Sequence, residues 1–272
     1  MSDDEYSSPR LFHPSMALQR YIYVRNCINE FHKSTNINSV VDLGSNDCSF
    51  VRFLKQLPFL STINCLDIDK LNMDRSHNNA KPTPMDLIAE RSHSLVINLF
   101  LGSALDKDTR FSQVDVVTGI EIIEHLQADM LDSFAENIFG FIQPKVAIIT
   151  TPNYEYNWLI QRAVADKKEM DESKPPSFRD SDHKFEWTRA EFLAWCESVI
   201  SKYNHYTFKI DGVGLLDSDE KKETGFCTQI AVFEKKLFAA EQNGLADEKE
   251  PYQLYRSYTY KRNDYLALKS KC

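Results

Sequence analysis

Residues 37–47 read INSVVDLGSND: a short apolar run, Val40, Val41 and Leu43, carried into a turn of Gly44, Ser45, Asn46 and Asp47. Directly after it, residues 47–57 (DCSFVRFLKQL) set Phe50, Phe53 and Leu54 on one side at helical spacing, and residues 62–69 (TINCLDID) form a second apolar run. Strand, tight turn, helix, strand is the opening of a parallel unit, because neighbouring parallel strands need a crossover and a helix fills it. Working outward, the same alternation continues. An amphipathic helix over 14–33 precedes the unit. Strands follow at 95–104, 114–123, 145–153, 205–214 and 227–236, with helical segments at 71–77, 85–93, 128–142, 157–166 and 187–203, the last capped by Thr188. The reading predicts an α/β, Rossmann-like fold: a mostly parallel seven-stranded sheet with helices on both faces. The last two strands have only an acidic loop between them and should pair antiparallel at an edge. Residues 1–10 are expected to be disordered, 11–236 to form the domain, and 237–272 to be a charged, Tyr-rich tail, loose as termini often are.

Composition narrows the function. The chain has 272 residues, 42% apolar and 26% charged, enough for a sizeable core. No apolar run is long enough to span a bilayer, and MSDDEYSSPR has no signal-peptide core, so no membrane role is expected. The six cysteines are scattered without a CxxC pair and read as reduced thiols of a cytosolic protein. A net charge of −8 argues against a broad grip on long nucleic acid, but not against a local basic pocket for one end of a strand.

Ligands of an open parallel sheet sit at the carboxyl ends of its strands. There the first strand offers Asp42, Gly44, Asn46 and Asp47, the second Asp67 or Asp69, an acid able to accept bonds from a ribose diol, and the third Ser103 and Ala104. A dinucleotide is disfavoured, because Asp47 stands where its pyrophosphate would lie. S-adenosylmethionine carries no phosphate, and its sulfonium and amino group suit acids. The order DLG, then an acid after the next strand, resembles the class I S-adenosylmethionine-dependent methyltransferases over about 36–150. It departs from their DxGxGxG, since Asn46 and Cys48 replace the later glycines; Asn tolerates a left-handed backbone.

After the fourth strand comes GIEIIEHL, residues 119–126. If the backbone is helical there, Glu121, Glu124 and His125 share one face at i, i+3 and i+4, a set that suits a divalent cation but also an ordinary charged helix start. His183, in FRDSDHKFEWTR, is the candidate fourth ligand.

Taken together and in this order, EIIEHL, TTPNYEYN (150–157) and DHKFEWTR (182–189) resemble the small-RNA 3′-terminal 2′-O-methyltransferases, which methylate plant microRNAs and animal piRNAs. The likeness runs over about 12–233, leaves no room for the RNA-binding domains of the plant members, and points to the shorter, single-domain animal and bacterial form acting on single-stranded RNA. The resemblance implies that Glu121, Glu124, His125 and His183 ligate Mg²⁺, with Mn²⁺ or Co²⁺ also serving. The open positions would then take the terminal 2′- and 3′-hydroxyls. It implies that Asp42, Gly44, Asp67, Ser103, Ala104 and Ile120 hold S-adenosylmethionine. Gln19 and Arg20 match a family Gln-Arg pair for RNA, and Arg179, Lys184 and Arg189 would neutralise the last phosphates. Phe12, Phe185 and Trp187 would stack on bases or wall the site, and Asn153, Glu155 and Asn157 would orient the ribose or the ligands. An Argonaute or Piwi partner, a monomeric state, and a cytoplasmic, RNA-granule location follow from the resemblance alone. The alternative is a metal-dependent O-methyltransferase of a small vicinal diol such as a catechol or quinol.

Overall fold

The computed structural model describes residues 11–88, 91, 93–164, 175–216, 224–236 and 249–260. The expected disorder of 1–10 lies outside them. Among the described residues eight strands form one sheet: β1 (Ser39–Leu43), β2 (Thr62–Asp67), β3 (Leu95–Leu101), β4 (Val116–Ile120), β5 (Val146–Pro152), β6 (Tyr206–Val213), β7 (Thr228–Lys235) and β8 (Gln253–Tyr260). Their order is β6-β7-β5-β4-β1-β2-β3-β8. Strands β1 to β5 pair in parallel, and β7 pairs antiparallel with both β5 and β6. The α/β class and the antiparallel edge of the sequence reading are therefore what the chain adopts.

The strand count is corrected from seven to eight, and the sheet does not end at 236. Residues Gln253–Tyr260 (QLYRSYTY), read above as part of a loose tail, pair antiparallel with β3 from Leu95↔Tyr260 to Leu101↔Gln253. Tyr and Thr fit a pleated, half-buried surface. Tyr252 and Tyr260 are buried, and the Tyr260 hydroxyl donates to Ala80 O at 2.6 Å. An outer edge of β3 left unpaired would present a row of bare backbone groups, which β8 satisfies.

The interior strands carry the core. All seven residues of β5 are buried, as expected of a strand covered on both faces. One apolar layer gathers Phe134, Ile138, Phe139, Phe192 and Phe233 on one side of the sheet, and a second gathers Val24, Ile28, Phe50, Leu54 and Met73 on the other. Helix α1 (Met16–Ser34) starts at Ser15, whose hydroxyl accepts from the Leu18 amide, and it buries one stripe: Arg20, Val24 and Ile28, four residues apart. Among the described residues no helix is long and apolar enough to cross a membrane.

Because β1 lies between β2 and β4, the strand order reverses there, and in open parallel sheets ligands bind at the strand carboxyl ends beside such a reversal.

Candidate metal and cofactor site

The turn after β1 lies at this reversal. Gly44 has φ +71°, and a Cβ on it would lie 2.6 Å from Ile122 Cδ1, so the glycine lets the β1 and β4 loops touch. Asn46 and Cys48 adopt φ +48° and +57°, as glycines in their place readily would. Asp67, at the end of β2, ties the turn down: its Oδ2 accepts from the Asn46 amide at 2.7 Å and its Oδ1 from the Asp69 amide at 2.8 Å. Asp42 is buried and accepts from the Thr118 hydroxyl at 2.6 Å. Burial pushes its carboxyl up to about 7, against that hydrogen bond and with the help of the Asp67 charge. Ile120 closes β4 opposite Thr150. Ser103 and Ala104 follow β3, where the Ser103 hydroxyl accepts from the Leu105 amide and Ala104 O accepts from Asn137 Nδ2.

In the loop after β4 the backbone of EIIEH does not form the helix that the one-face arrangement would require. Glu121 sits at φ +51°, and only Ile123–His125 make a single 3₁₀ turn. The one-face argument at i, i+3, i+4 therefore does not apply. Glu121 is still fixed: its amide donates to Thr150 O and Oγ1, the Thr150 hydroxyl donates to its Oε1 at 3.0 Å, and Arg20 Nη1 lies 3.3 Å from its Oε2. Glu124 is fully buried. Its Oε2 accepts from the Thr151 hydroxyl at 3.1 Å, while its Oε1 has no hydrogen-bond partner. Burial raises the Glu124 carboxyl well above the usual carboxylate range, and the neighbouring Glu121 charge adds to this.

His183 is brought in from far along the chain because 182–189 is laid across the end of β5. Lys184 N donates to Glu124 O at 2.7 Å, Tyr154 N to Trp187 O, and Gln229 Nε2 to the same carbonyl. The rings of His125 and His183 meet edge-on with centroids 4.8 Å apart. Glu124, His125 and His183 each present one ligand atom within 4.8 Å of the others. His125 Nδ1 is 3.2 Å from Asp182 Oδ2 and His183 Nδ1 is 2.6 Å from Glu186 Oε1, which leaves Nε2 as the nitrogen each ring can offer a cation. Burial works to raise the Glu186 carboxyl, but hydrogen bonds from His183, Asn157 and the Arg179 amide, with the Arg179 charge, hold it below its ordinary range. A cation fits these donors. A buried carboxylate oxygen without a partner beside a second acid is costly alone, and imidazoles backed by carboxylates are the usual form of metal-ligating histidine. Of the four expected ligands, three converge and Glu121 stands beside them, engaged by Arg20 and Thr150.

Comparison with known proteins places the chain. No protein-family profile matches the chain. A small RNA 2′-O-methyltransferase of Xenopus tropicalis is 37% identical over 232 residues, 85% of this chain and 58% of that protein. The enzyme of that name from Schizosaccharomyces pombe is 31% identical, covering 92% of this chain and 68% of the relative. The chain belongs to the small RNA 2′-O-methyltransferase family. A crystal structure of the small RNA methyltransferase HEN1 superposes with a TM-score of 0.75 and 30% identity over 94% of this chain and 29% of that one. The chain spans little more than half the length of the first curated relatives it matches, 55% to 58%.

In this family member the residues read as RNA contacts are largely tied to the protein itself. Arg20 lies on the buried stripe of α1, between Glu121 and the Thr228 hydroxyl. Gln19 donates to Pro14 O and accepts from the Gly214 amide. Arg179 donates through Nε to Asn157 Oδ1 and through Nη2 to Asn153 O and Cys227 O. Lys184 and Arg189 are exposed, paired with Asp182 and Glu155. Phe185 and Trp187 stack at 4.5 Å and pack against the core, while the Phe12 ring lies 6.2 Å from that of Tyr156. Asn153 accepts from the Glu155 amide, and Asn157 Nδ2 donates to Glu186 Oε2 at 2.5 Å. Sequence reasoning missed Asp182, Glu186, Thr150 and Thr151. Acids one residue before and three after His183, and the paired threonines ending β5, were the available signals.

Proposed function

We propose that this chain transfers the methyl group of S-adenosylmethionine to the 2′-hydroxyl of the 3′-terminal nucleotide of single-stranded small RNAs, with a divalent cation, Mg²⁺, Mn²⁺ or Co²⁺. The observation that carries the reading is the buried Glu124, with its Oε1 unpartnered, gathered with two carboxylate-backed imidazoles in the loop that touches the Gly44 turn. Mixed oxygen and nitrogen donors suit Mn²⁺ at least as well as Mg²⁺.

Glu124 Oε1 and the Nε2 atoms of His125 and His183 would hold the cation, with Glu121 as the fourth donor. When bound, the cation supplies Lewis acidity and direction to the sugar's two hydroxyls, and S-adenosylmethionine supplies the methyl. The protein's own part is placement. The Gly44 turn and Asp67 would hold the cofactor, and the loop after β4 lies against that turn, so the residues that would hold the methyl donor and the sugar are neighbours. With Nδ1 held by a carboxylate and Nε2 the nitrogen that would hold the cation, neither imidazole would be spare to take the proton, which would leave to solvent. Lys184 and Arg189, in exposed ion pairs of little worth, can exchange their carboxylates for phosphates. Arg20 and Arg179 act from inside by holding the site. The net charge of −8 gives free RNA weak purchase, which fits hand-over from an Argonaute or Piwi protein in cytoplasmic granules.

The test is transfer of labelled methyl to a short RNA ending in a free diol, against the same RNA after periodate treatment, with a 2′-deoxy end, or with a 3′-phosphate. Labelling of the diol RNA alone is expected; equal labelling of all four refutes the terminal-diol reading. Labelling of a catechol in preference to RNA would move the substrate to small diols.

A further inference from the structure

We infer that Glu186 is the positioning residue of the cation site, and that the two imidazoles are held unequally, His183 rigidly through Glu186 and His125 loosely through Asp182. This rests on the cation reading of the same site. The Glu186 side chain is fully buried and is met by three donors. Its Oε1 is 2.6 Å from both Arg179 N and His183 Nδ1, and its Oε2 is 2.5 Å from Asn157 Nδ2. The Arg179 amide can only donate. The Asn157 side chain is oriented by Arg179 Nε, 2.7 Å from its Oδ1, which turns its Nδ2 to the carboxylate. With an anion as the shared acceptor, His183 must carry its proton on Nδ1, and its lone pair is then on Nε2, where a cation takes it. The chain of contacts does not stop at Asn157: Arg179 Nη2 reaches Asn153 O at 2.7 Å and Cys227 O at 2.8 Å, at the ends of β5 and β7. The ring is thus anchored to the sheet.

His125 has a different support. Asp182 Oδ2 is 3.2 Å from its Nδ1, but the Asp182 side chain is 69% exposed and its other oxygen is shared with Lys184 Nζ at 2.9 Å. An exposed pair of this kind constrains little. Glu186→Gln and Asp182→Asn each remove one negative charge near the site, but they should behave differently. A glutamine at 186 keeps one acceptor oxygen but sets an NH2 against the donors on the other side, so the three donors can no longer all be met and the hold on the His183 ring loosens. An asparagine at 182 loses a contact that solvent readily replaces.

The experiment is titration of the full chain, without RNA, with Mn²⁺ alone, followed by calorimetry and electron paramagnetic resonance. S-adenosylhomocysteine affinity is measured in parallel, and the histidine side chains are read by ¹⁵N NMR on the cation-free protein. Glu186→Gln should weaken Mn²⁺ about 10- to 100-fold, leave S-adenosylhomocysteine binding unchanged and abolish the single Nδ1–H tautomer of His183. Asp182→Asn should weaken Mn²⁺ less than about threefold, the scale of an exposed ion pair, and keep that tautomer. Equal losses in the two variants would show a mere charge effect and overturn the inference. So would a parallel loss of S-adenosylhomocysteine binding, which marks a general structural role. Should Glu186→Gln not fold, Asn157→Ala keeps the carboxylate but unties it, and the same readouts decide: an intermediate Mn²⁺ loss with a mixed His183 tautomer supports the inference, wild-type behaviour refutes it. If the wild type itself fails to bind Mn²⁺, the cation reading falls; if it binds and Glu186→Gln binds equally well, only the role of Glu186 falls.

Discussion

Replacing Glu124 by glutamine should make the cation-free protein more stable while removing its response to cations. The side chain is fully buried, one oxygen is bonded to Thr151, and the other has no partner, with the Glu121 charge nearby. An unsatisfied buried polar group costs about 1–3 kcal/mol, and a charged one more. Glutamine keeps the volume and the bond from Thr151, drops the charge, and can offer its amide to Glu121. The expected gain is about 1–3 kcal/mol. At about 2–4 °C per kcal/mol for a chain of this size, the midpoint should rise by several degrees without added cation. Mn²⁺ at a hundred times its Kd should add about 2.7 kcal/mol to the wild type and nothing to a variant that has lost a donor, so with Mn²⁺ the variant's advantage closes or inverts. Thermal denaturation of both proteins with and without Mn²⁺ measures all four states. The reasoning is refuted if Glu124→Gln is less stable without cation, or if Mn²⁺ raises both midpoints equally.

Three further outcomes follow from the fold. Asp42 has a folded-state pKa near 7, above its ordinary 3.8, so the protonated form suits the fold. Its penalty is absent below about pH 4, grows as pH rises to about 7 and is constant beyond, reaching at most about 4 kcal/mol at about 1.4 per unit. Asp42→Asn should therefore widen its stability advantage across that window in denaturant melts, and a gap that narrows as pH rises contradicts this. Gly44→Ala places a Cβ at 2.6 Å from Ile122 Cδ1 with φ +71°; a loss of about 1–3 kcal/mol is expected, with weaker S-adenosylhomocysteine binding by calorimetry, and unchanged affinity would remove the turn from the cofactor site. Ending the chain at residue 248 strips β8 from β3 and uncovers the layer under Tyr252 and Tyr260. Stability should fall by more than about 3 kcal/mol and light scattering should show aggregation through the bare edge; a stable, dispersed product would mean that β8 is dispensable.

Local chemistry wrote much of this molecule into the sequence. Thr188 and Glu191 form a reciprocal cap at the start of the helix Arg189–Lys202, the run Val40–Leu43 forms a strand, and the glycine-poor turn after it is held by Asn46 and Cys48 in left-handed backbone. These depend on neighbours a few residues away, so short-range pattern reveals them. The acids and imidazoles were legible as residue types because few combinations suit a cation. Their geometry was not. The EIIEH segment reads as helical by spacing, yet Glu121 turns left-handed and its place is set by Thr150 and Arg20, which lie on other elements. Arg179 reads as a surface cation, but Asn153, Asn157 and Cys227 spend its hydrogen bonds inside. The tyrosines of 253–260 read as a tail until β3 offers an open edge. In each case the deciding partner is far away in the chain, and only folding sets the distance between a charge and the group that neutralises it.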